Sequence, residues 1–395
     1  MGTKQYDSAT DLITFSRASS ATFLGSNGLL QTAANNIPRI EYDATGAVKG
    51  LLIEEDRTNL IKYSNTAAQW AAYGTTLTAD SSTGPDGLTS MVEVAETATT
   101  AVHVFNTVAT FAPASSQRYT LSAYVKKRGS TQYVQLLWNS TWNSLGYATF
   151  DLDAGTLAGT GSTLSTSITD VGGGVYRVSM TTTTANTNPA QAILATPNAA
   201  TGRASSFAGN TANGFYVYGI QVEAGSFPTS YIPTTGAAAT RARDIAEIPT
   251  SAFGYNNDKG TVVCEFDSAS ISGSTVFTLD GAGSSHGITA IVYPAGRISY
   301  QVVTGGAVQV NLDFAAYATA NQVSKVATVY AKDDFSAVLN GGAVATDTTA
   351  SLPTVGLLRL GVYLGGANFP MSGHIKSIQY YPRRLTNTQL QELTT

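Results

Sequence analysis

Hydrophobic and polar residues alternate along most of this chain, in short runs separated by glycine-rich turns. In the run Gln117 to Lys126, the alternating side chains Tyr119, Leu121, Ala123 and Val125 share one face, as in a β-strand with one buried side. Similar runs follow at 133–138, 147–152, 175–180 and 214–224, and again at 260–266, 274–279, 287–293, 297–303, 325–331 and 335–339. The runs are separated by turns and show no helical period. The pattern predicts an all-β protein with two antiparallel, jelly-roll-like β-sandwiches.

Residues 13–61 predict small β-hairpins ahead of the sandwiches. Ser26-Asn27-Gly28 and Asp43-Ala44-Thr45-Gly46 carry Asn or Asp shortly before a glycine that can adopt positive φ. The charged residues 54–57 follow as a structural strap in which Arg57 can neutralise the carboxylates. We divide the chain into a lead-in or attachment segment (1–61), a first sandwich (62–244) and a second sandwich (245–395). Residues 1–12 are expected to be irregular or bound to a partner, and 233–240 to form the linker.

One short helix is predicted at the C-terminus. Thr386 can cap it, and Gln389 stands three residues later, which completes a capping box. Leu385 can contact Leu390 across the first turn, and Leu393 continues the apolar face. The helix is expected to pack on an edge of the second sandwich.

Composition narrows the class of protein. Of 395 residues, 43% are hydrophobic, which is enough for real cores, and only 12% are charged, against an average near ~25%. A net charge of −4 argues against binding nucleic acid, which needs a basic surface. No apolar run approaches the ~20 residues of a membrane span, so no membrane insertion is expected. The N-terminus has no hydrophobic signal core, so we expect an extracellular location to follow from lysis or from assembly into a particle.

Residues 13–61 read ITFSRASSATFLGSNGLLQTAANNIPRIEYDATGAVKGLLIEEDRTNLI. This segment resembles the opening segment of phage tail-fibre and head-spike proteins, including spikes of particles like gene transfer agents. The matching positions are Thr14 to Ser19, Ala21-Thr22, Gly28, Gln31, Ala33, Asn36 to Ile40, Tyr42-Asp43, Thr45-Gly46, Gly50 to Glu55 and Arg57 to Leu60. The resemblance implies a subunit on the surface of a virion or phage-like particle. It also implies contacts with other spike, fibre, capsid or tail proteins, and a homo-oligomer, with a trimer favoured.

Both sandwiches carry resemblances of their own. Residues 147–161, 171–183 and 214–244 resemble strands of carbohydrate-binding jelly rolls fused to phage fibres, and 373–395 resembles the end of concanavalin-A-like or laminin-G-like lectin modules. These resemblances imply adhesion to a host cell-surface polysaccharide such as a capsule. Two alternatives stay open: a polysaccharide-degrading tailspike, and a structural decoration protein that binds no sugar.

The candidate carbohydrate-binding residues are Trp138, Trp142, Asn143 and Tyr147. A turn with two indoles and two asparagines can stack on a sugar and bond its hydroxyl groups. Trp138 shares a face with Val134, which favours a place in the core, whereas Trp142 stands in the loop, where both roles stay open. In the second sandwich, Tyr300, Tyr363 and Asn368 could line a concave face.

The sequence predicts neither catalysis nor a cofactor. Glu265 and Asp267 begin a Glu-x-Asp-x-x-Glu pattern of concanavalin-like glycosidases, but Ser270 occupies the position of the second Glu. Three histidines and one cysteine make a zinc site improbable, and Cys264 is expected in the core. A structural calcium ion is common in such folds, but no loop has the spacing of a dedicated calcium site.

Overall fold

The computed structural model describes residues 12–107, 111–183, 186–270, 273–281, 285–364 and 369–395. Of residues 1–12, which were expected to be irregular, only Leu12 lies within the described residues. The regular secondary structure of the described chain is almost entirely antiparallel β-sheet, with two α-helices, α1 (Ser140–Asn143) and α2 (Asn387–Thr394). Neither helix is long and apolar enough to cross a membrane. The predicted all-β fold class is confirmed.

The lead-in forms the two predicted hairpins. Gly28 and Gly46 adopt φ values of 72° and 82°, which close the turns between the paired strands. The six strands of this segment are β1 (Thr14–Ser16), β2 (Ala21–Leu24), β3 (Leu30–Ala33), β4 (Ile40–Tyr42), β5 (Val48–Ile53) and β6 (Arg57–Asn59).

The first sandwich packs two six-stranded sheets, in the orders β15-β14-β13-β18-β11-β7 and β16-β17-β12-β20-β9-β8. Alternating side chains such as Leu121, Val134 and Phe150 are fully buried between them. Its strands are β7 (Trp70–Tyr73), β8 (Thr75–Thr83), β9 (Thr89–Glu96), β10 (Thr100–Ala101), β11 (Val104–Thr107), β12 (Arg118–Arg128), β13 (Tyr133–Trp138), β14 (Tyr147–Asp151), β15 (Thr156–Thr160), β16 (Ser165–Asp170), β17 (Val175–Thr183), β18 (Ala192–Ala195), β19 (Phe207–Ala208) and β20 (Gly214–Ala224). The short strands β10 and β19 pair with each other.

The second sandwich packs two seven-stranded sheets, β1-β22-β31-β24-β25-β26-β27 and β30-β29-β28-β23-β32-β5-β4. Cys264 is fully buried in its core, as expected, and this burial raises the pKa of the thiol. The remaining strands are β21 (Ala239–Arg241), β22 (Ile245–Pro249), β23 (Lys259–Ser268), β24 (Ser274–Asp280), β25 (Gly287–Val292), β26 (Arg297–Thr304), β27 (Ala307–Tyr317), β28 (Ser324–Ala331), β29 (Asp334–Leu339), β30 (Ala345–Asp347), β31 (Leu357–Leu360) and β32 (Gly373–Tyr381).

Strands of the lead-in complete both sheets of the second sandwich. β1 extends one sheet by pairing with β22, and β5 extends the other by pairing with β32. The predicted linker, residues 233–240, is fixed by backbone pairing: Thr235 forms a β-bridge with Tyr63, and β21 pairs with β6. Whether the boundaries at 61 and 244 separate independently folding units stays a prediction.

The C-terminal helix forms as predicted. The Thr386 hydroxyl accepts a hydrogen bond from the Gln389 backbone N–H, and the Gln389 side chain accepts one from the Thr386 N–H. Leu385 and Leu390 are both buried, in a cluster with Val329 and Val338 on the outer side of the sheet that contains β28 and β29. The helix therefore covers that face of the second sandwich, and the expectation that it packs on an edge is wrong.

Candidate functional site

The predicted tryptophan turn lies at the end of β13 and in α1, where both indoles face inward. Trp138 is fully buried and Trp142 is 3% exposed, and their rings meet edge to face with centroids 4.4 Å apart. Phe111 and Tyr119 pack against the same pair. Because neither indole offers an exposed face, a sugar cannot stack on them in this conformation.

The other two residues of that turn make structural hydrogen bonds. The Asn143 side-chain carbonyl accepts from the Gly146 N–H at 2.8 Å, and the Tyr147 hydroxyl accepts from the Gly202 N–H at 2.9 Å. Both side chains are half-buried. Sugar binding at this turn stays a prediction, but the burial limits it to contacts with the polar rim, without stacking on Trp138 or Trp142.

A second polar surface, not singled out by the sequence, lies on the outer face of the sheet that ends in β27. Backbone register places one row of polar side chains across six strands: Glu247, Arg359, Thr278, Thr289, Gln301 and Asn311. Segment 361–364 covers the middle of this row, where the Thr278 hydroxyl donates to the Val362 carbonyl. The end formed by β26 and β27 reaches the surface, and Asn311 is exposed there.

At this end of the row, amide and hydroxyl groups hold each other in place. Gln301 Nε2 donates to Asn311 Oδ1 at 2.9 Å and to the Tyr293 hydroxyl oxygen at 3.0 Å, and Ser299 Oγ donates to Asn311 Oδ1 at 2.7 Å. Within the described residues, the Nδ2 group of Asn311 has no hydrogen-bond partner. A fixed amide with unused N–H groups suits recognition of a hydroxyl-rich ligand.

Aromatic rings border these amides. Phe369 is 39% exposed, and its ring centroid lies 6.3 Å from that of Tyr293 and 5.6 Å from that of Tyr363. We call Tyr293, Ser299, Gln301, Asn311, Tyr363 and Phe369 the outer patch. Tyr363, one of the three residues proposed for a concave face, is thus part of it. Tyr300 is instead fully buried in the core, and Asn368 lies outside the described residues.

The charges beside the outer patch compensate each other. Arg297 pairs with Asp313, and its guanidinium also lies 4.8 Å from the centre of the Tyr293 ring. The patch itself contains no ionised side chain. Its chemistry therefore favours a neutral, hydroxyl-bearing ligand over a strongly charged one.

Sequence reasoning missed the outer patch because it depends on strand register. β27 was not predicted, although Val308, Val310 and Leu312 alternate along it. Gln301 and Asn311 become neighbours only when β26 and β27 pair. The alternation could have indicated the strand, but not the partner of each side chain.

A different set of polar residues fills the space where the chain passes between the two sandwiches. We call Arg17, Arg39, Glu54, Arg241 and Asp244 the junction; all five are at most 5% exposed. Asp244 accepts from Arg17 at 3.1 Å and from Arg39 at 2.6 Å. Glu54 pairs with Arg39 at 2.8 Å and Arg241 at 3.3 Å. Each carboxylate therefore bridges two guanidinium groups, and the three arginines exceed the two carboxylates by one charge.

The junction explains much of the motif in the lead-in. Burial alone would raise the pKa of Glu54, but Arg241 and Arg39 outweigh it, so the pKa lies well below its usual range. Asn59 is fully buried, and its amide donates to two backbone carbonyls and accepts from two backbone N–H groups. Arg57 pairs with Glu55, as the strap hypothesis required. These motif residues hold the scaffold together and are not displayed to a ligand.

The two carboxylates of the glycosidase-like pattern are engaged in ion pairs. Glu265 lies 3.0 Å from the Lys376 ammonium, and Asp267 lies 2.8 Å from His374 Nδ1. The other ring nitrogen of His374 lies 2.8 Å from Glu41 of the lead-in. Both carboxylates therefore contribute to packing between strands. In the described part of the chain, no group of three or more His, Cys, Asp or Glu residues could hold a metal ion.

Comparisons with known proteins give limited similarities. No protein-family model matches the chain, and no curated protein sequence matches it. Among solved structures, the CBM40 module of a Ruminococcus gnavus IT-sialidase is 19% identical, with 35% of this chain and 83% of that chain covered at a TM-score of 0.31. Domains LG4-5 of mouse laminin α1 are 12% identical (69% and 87% covered, TM-score 0.26), and chicken galectin 2 is 14% identical (31% and 88%, TM-score 0.24). Such low values carry no conclusion about function.

Proposed function

We propose that this protein is a non-enzymatic adhesion subunit of a phage or phage-like particle, such as a gene transfer agent, and binds a host capsule polysaccharide. The outer patch is the observation that carries the proposal. It combines an exposed ring at Phe369 with the fixed amides of Gln301 and Asn311. An aromatic ring packs on the apolar C–H face of a sugar, while amides bond its hydroxyl groups.

A single patch of this kind binds weakly because it is shallow and open to water. Several copies on one particle would raise the overall affinity, since each later contact forms at high local concentration. We therefore propose a homo-oligomer, with a trimer favoured, which associates with other spike, fibre, capsid or tail proteins. The sequence resemblance of residues 13–61 supports this location on a particle surface.

The two alternative functions have less support. A degrading tailspike needs a pair of available carboxylates, whereas Glu265 and Asp267 are bonded to Lys376 and His374. A structural decoration protein has no need of unbonded amide groups beside an exposed ring. Direct measurement of binding and of sugar release separates all three.

The test uses purified protein and two isogenic host strains, one encapsulated and one without capsule. Cell binding and release of new reducing ends are measured in the same samples. We expect binding to encapsulated cells only, with no sugar release. Sugar release would replace the proposal with the tailspike function, and absence of binding to both strains would favour the structural function.

Variants then locate the binding surface. Phe369→Ala and Asn311→Ala are each expected to weaken binding of the isolated protein about tenfold, since each removes one stacking or hydrogen-bonding contact. Tyr73→Ala is the matched control, because Tyr73 is 56% exposed on the first sandwich. Loss of binding by Tyr147→Ala, with Phe369→Ala unchanged, would instead assign the site to the tryptophan turn.

A further inference from the structure

A cleft with a mixed polar and apolar lining lies between the two sandwiches, away from the outer patch. Five residues of the first sandwich and two of the second line it: Arg118, Leu164, Ser165, Thr181, Ser226, Ala269 and Ser270. Its volume is about 340 Å³, which lies within the ~300–1,000 Å³ range of small-molecule sites. The cleft is therefore large enough for one sugar unit.

Hydrogen bonds fix both walls of the cleft. On the first sandwich, Ser165 pairs with Thr181 across β16 and β17, and the Thr181 hydroxyl is bonded to Thr120 at 2.7 Å and to the Ser226 carbonyl at 3.2 Å. On the second sandwich, the Ser268 hydroxyl donates to the Ser270 carbonyl at 2.8 Å. A ligand would enter a preformed site, which lowers the entropic cost of binding.

Arg118 supplies the positive charge of this cleft. It begins β12, and its backbone carbonyl accepts a hydrogen bond from the Gly225 N–H at 2.9 Å, which fixes the position of the residue. Within the described residues, no carboxylate lies at ion-pair distance from its guanidinium. The nearby Arg57, whose guanidinium lies beside Gly225, is by contrast already paired with Glu55.

The lining selects a particular kind of ligand. A guanidinium binds a planar carboxylate through two parallel hydrogen bonds, and serine hydroxyls suit the hydroxyl groups of a sugar. Leu164, which is 55% exposed, offers an apolar contact for the C–H face of the ring. We propose that this cleft binds a carboxylate-bearing sugar unit, such as a uronic acid, of an acidic polysaccharide.

This inference rests on the proposed function, and it adds a second site with a different preference. The outer patch suits neutral sugars, whereas the cleft takes an acidic one. A ligand in the cleft also touches Ser165 of the first sandwich and Ser270 of the second. Its binding therefore links the two sandwiches and raises their resistance to unfolding.

The test uses trigalacturonic acid and its fully methyl-esterified form, which keeps the sugar stereochemistry and removes the charge. Affinity is measured calorimetrically with the full-length protein, and thermal unfolding is followed with each ligand. We expect binding and a raised Tm with the acid but not with the ester. Arg118→Gln is expected to weaken binding of the acid about tenfold, because it removes the charge-assisted hydrogen bonds. Arg383→Gln is the matched control, since Arg383 is an exposed arginine elsewhere on the second sandwich.

Several results would overturn the inference. These are equal affinity for acid and ester, no effect of Arg118→Gln, no binding of either probe, or displacement by sodium sulfate at matched ionic strength, which would show a simple anion site. The proposed function is judged separately, by cell binding of the wild type and of Phe369→Ala. Capsule-specific binding that depends on Phe369 but not on Arg118 would keep the adhesion function and reject the cleft.

Discussion

The junction and the outer patch are both built from polar side chains, but they use them in opposite ways. In the junction, three arginines and two carboxylates are at most 5% exposed and bond one another. In the outer patch, the Gln301 amide donates one hydrogen bond to the Asn311 amide oxygen, and the N–H groups of Asn311 stay available at the surface. Burial without partners is costly, so the first arrangement stabilises the fold, while only the second can meet a ligand.

This contrast changes how the most distinctive residues of the sequence are interpreted. Arg39 and Glu54 stand in the lead-in motif on which the expectation of a phage-fibre subunit rests, yet both are buried and serve the scaffold. The two amides of the outer patch, Gln301 and Asn311, stand in ordinary strands of the second sandwich. The buried residues of this motif therefore build the scaffold, and a ligand surface has to be sought from geometry.

The largest expected effect follows from disrupting the junction. Asp244→Asn removes the charge that compensates Arg17 and Arg39, and it leaves buried arginines underpaired. We expect the free energy of unfolding to fall by about 3–5 kcal/mol, as for other broken buried ion pairs. Chemical denaturation of the variant and the wild type measures this change.

The control for this prediction is binding at the outer patch. The folded fraction of Asp244→Asn should bind encapsulated cells as the wild type does, because the outer patch does not contact Asp244. A loss below about 1 kcal/mol would show that the junction adds little to stability, in conflict with the cost expected for buried unpaired charge.

A smaller, pH-dependent effect is expected at His374, which ties the lead-in to the second sandwich. Burial by itself lowers its pKa, but hydrogen bonds with Asp267 and Glu41 outweigh this, and the pKa is raised. The protonated ring thus stabilises the fold fully below the unfolded value of about 6.5, and this contribution is lost as the pH rises through the higher folded pKa.

We compare His374→Gln with the wild type from pH 5.5 to pH 9. The difference in unfolding free energy should be about 1–2 kcal/mol at the acid end and shrink toward the alkaline end. A difference that grows with pH would contradict a protonated His374. Below pH 5.5 the protonation of Glu41 is expected to reduce stability further. Burial alone would raise the pKa of Glu41, but the hydrogen bond to His374 and the charge of Lys49 outweigh burial and lower the pKa to about 2.

The smallest effect is expected at the rim of the outer patch. Arg297 and Asp313 form an ion pair with side chains 38% and 39% exposed, so water screens most of their attraction. Asp313→Asn should lower the unfolding free energy by at most about 1 kcal/mol. A loss as large as that of Asp244→Asn, measured by the same denaturation, would remove the distinction between buried and exposed polar clusters.

Local patterns predicted much of this fold. Alternation located β13 and β20 at their observed limits, and the capping residues Thr386 and Gln389 identified α2. Strands with polar outer faces were harder to recognise: β8 and β16 are rich in Thr and Ser, and few of their side chains are buried. Without an apolar face, the period of two is not visible in the sequence.

The candidate site was less predictable than the fold. Trp138 and Trp142 are the residue types expected around sugars, but the same types fill cores, and only packing distinguishes the two roles. The outer patch depends on the register of β26 with β27 and on the contact between the Phe369 ring and the Tyr293 ring, which lies far from it in sequence. Such long-range placement leaves no local signal in the sequence.

The pairing of β5 with β32 has a consequence for synthesis. Ile53 pairs with Gly373, so most of the chain is translated between the two partners. At typical elongation rates, β5 waits on the order of tens of seconds for its neighbour. During that time the first sandwich can fold from contiguous sequence, while one edge of the β4–β5 hairpin stays open to other nascent chains. Assembly of the second sandwich is therefore a late event, completed only after the C-terminal strand has left the ribosome.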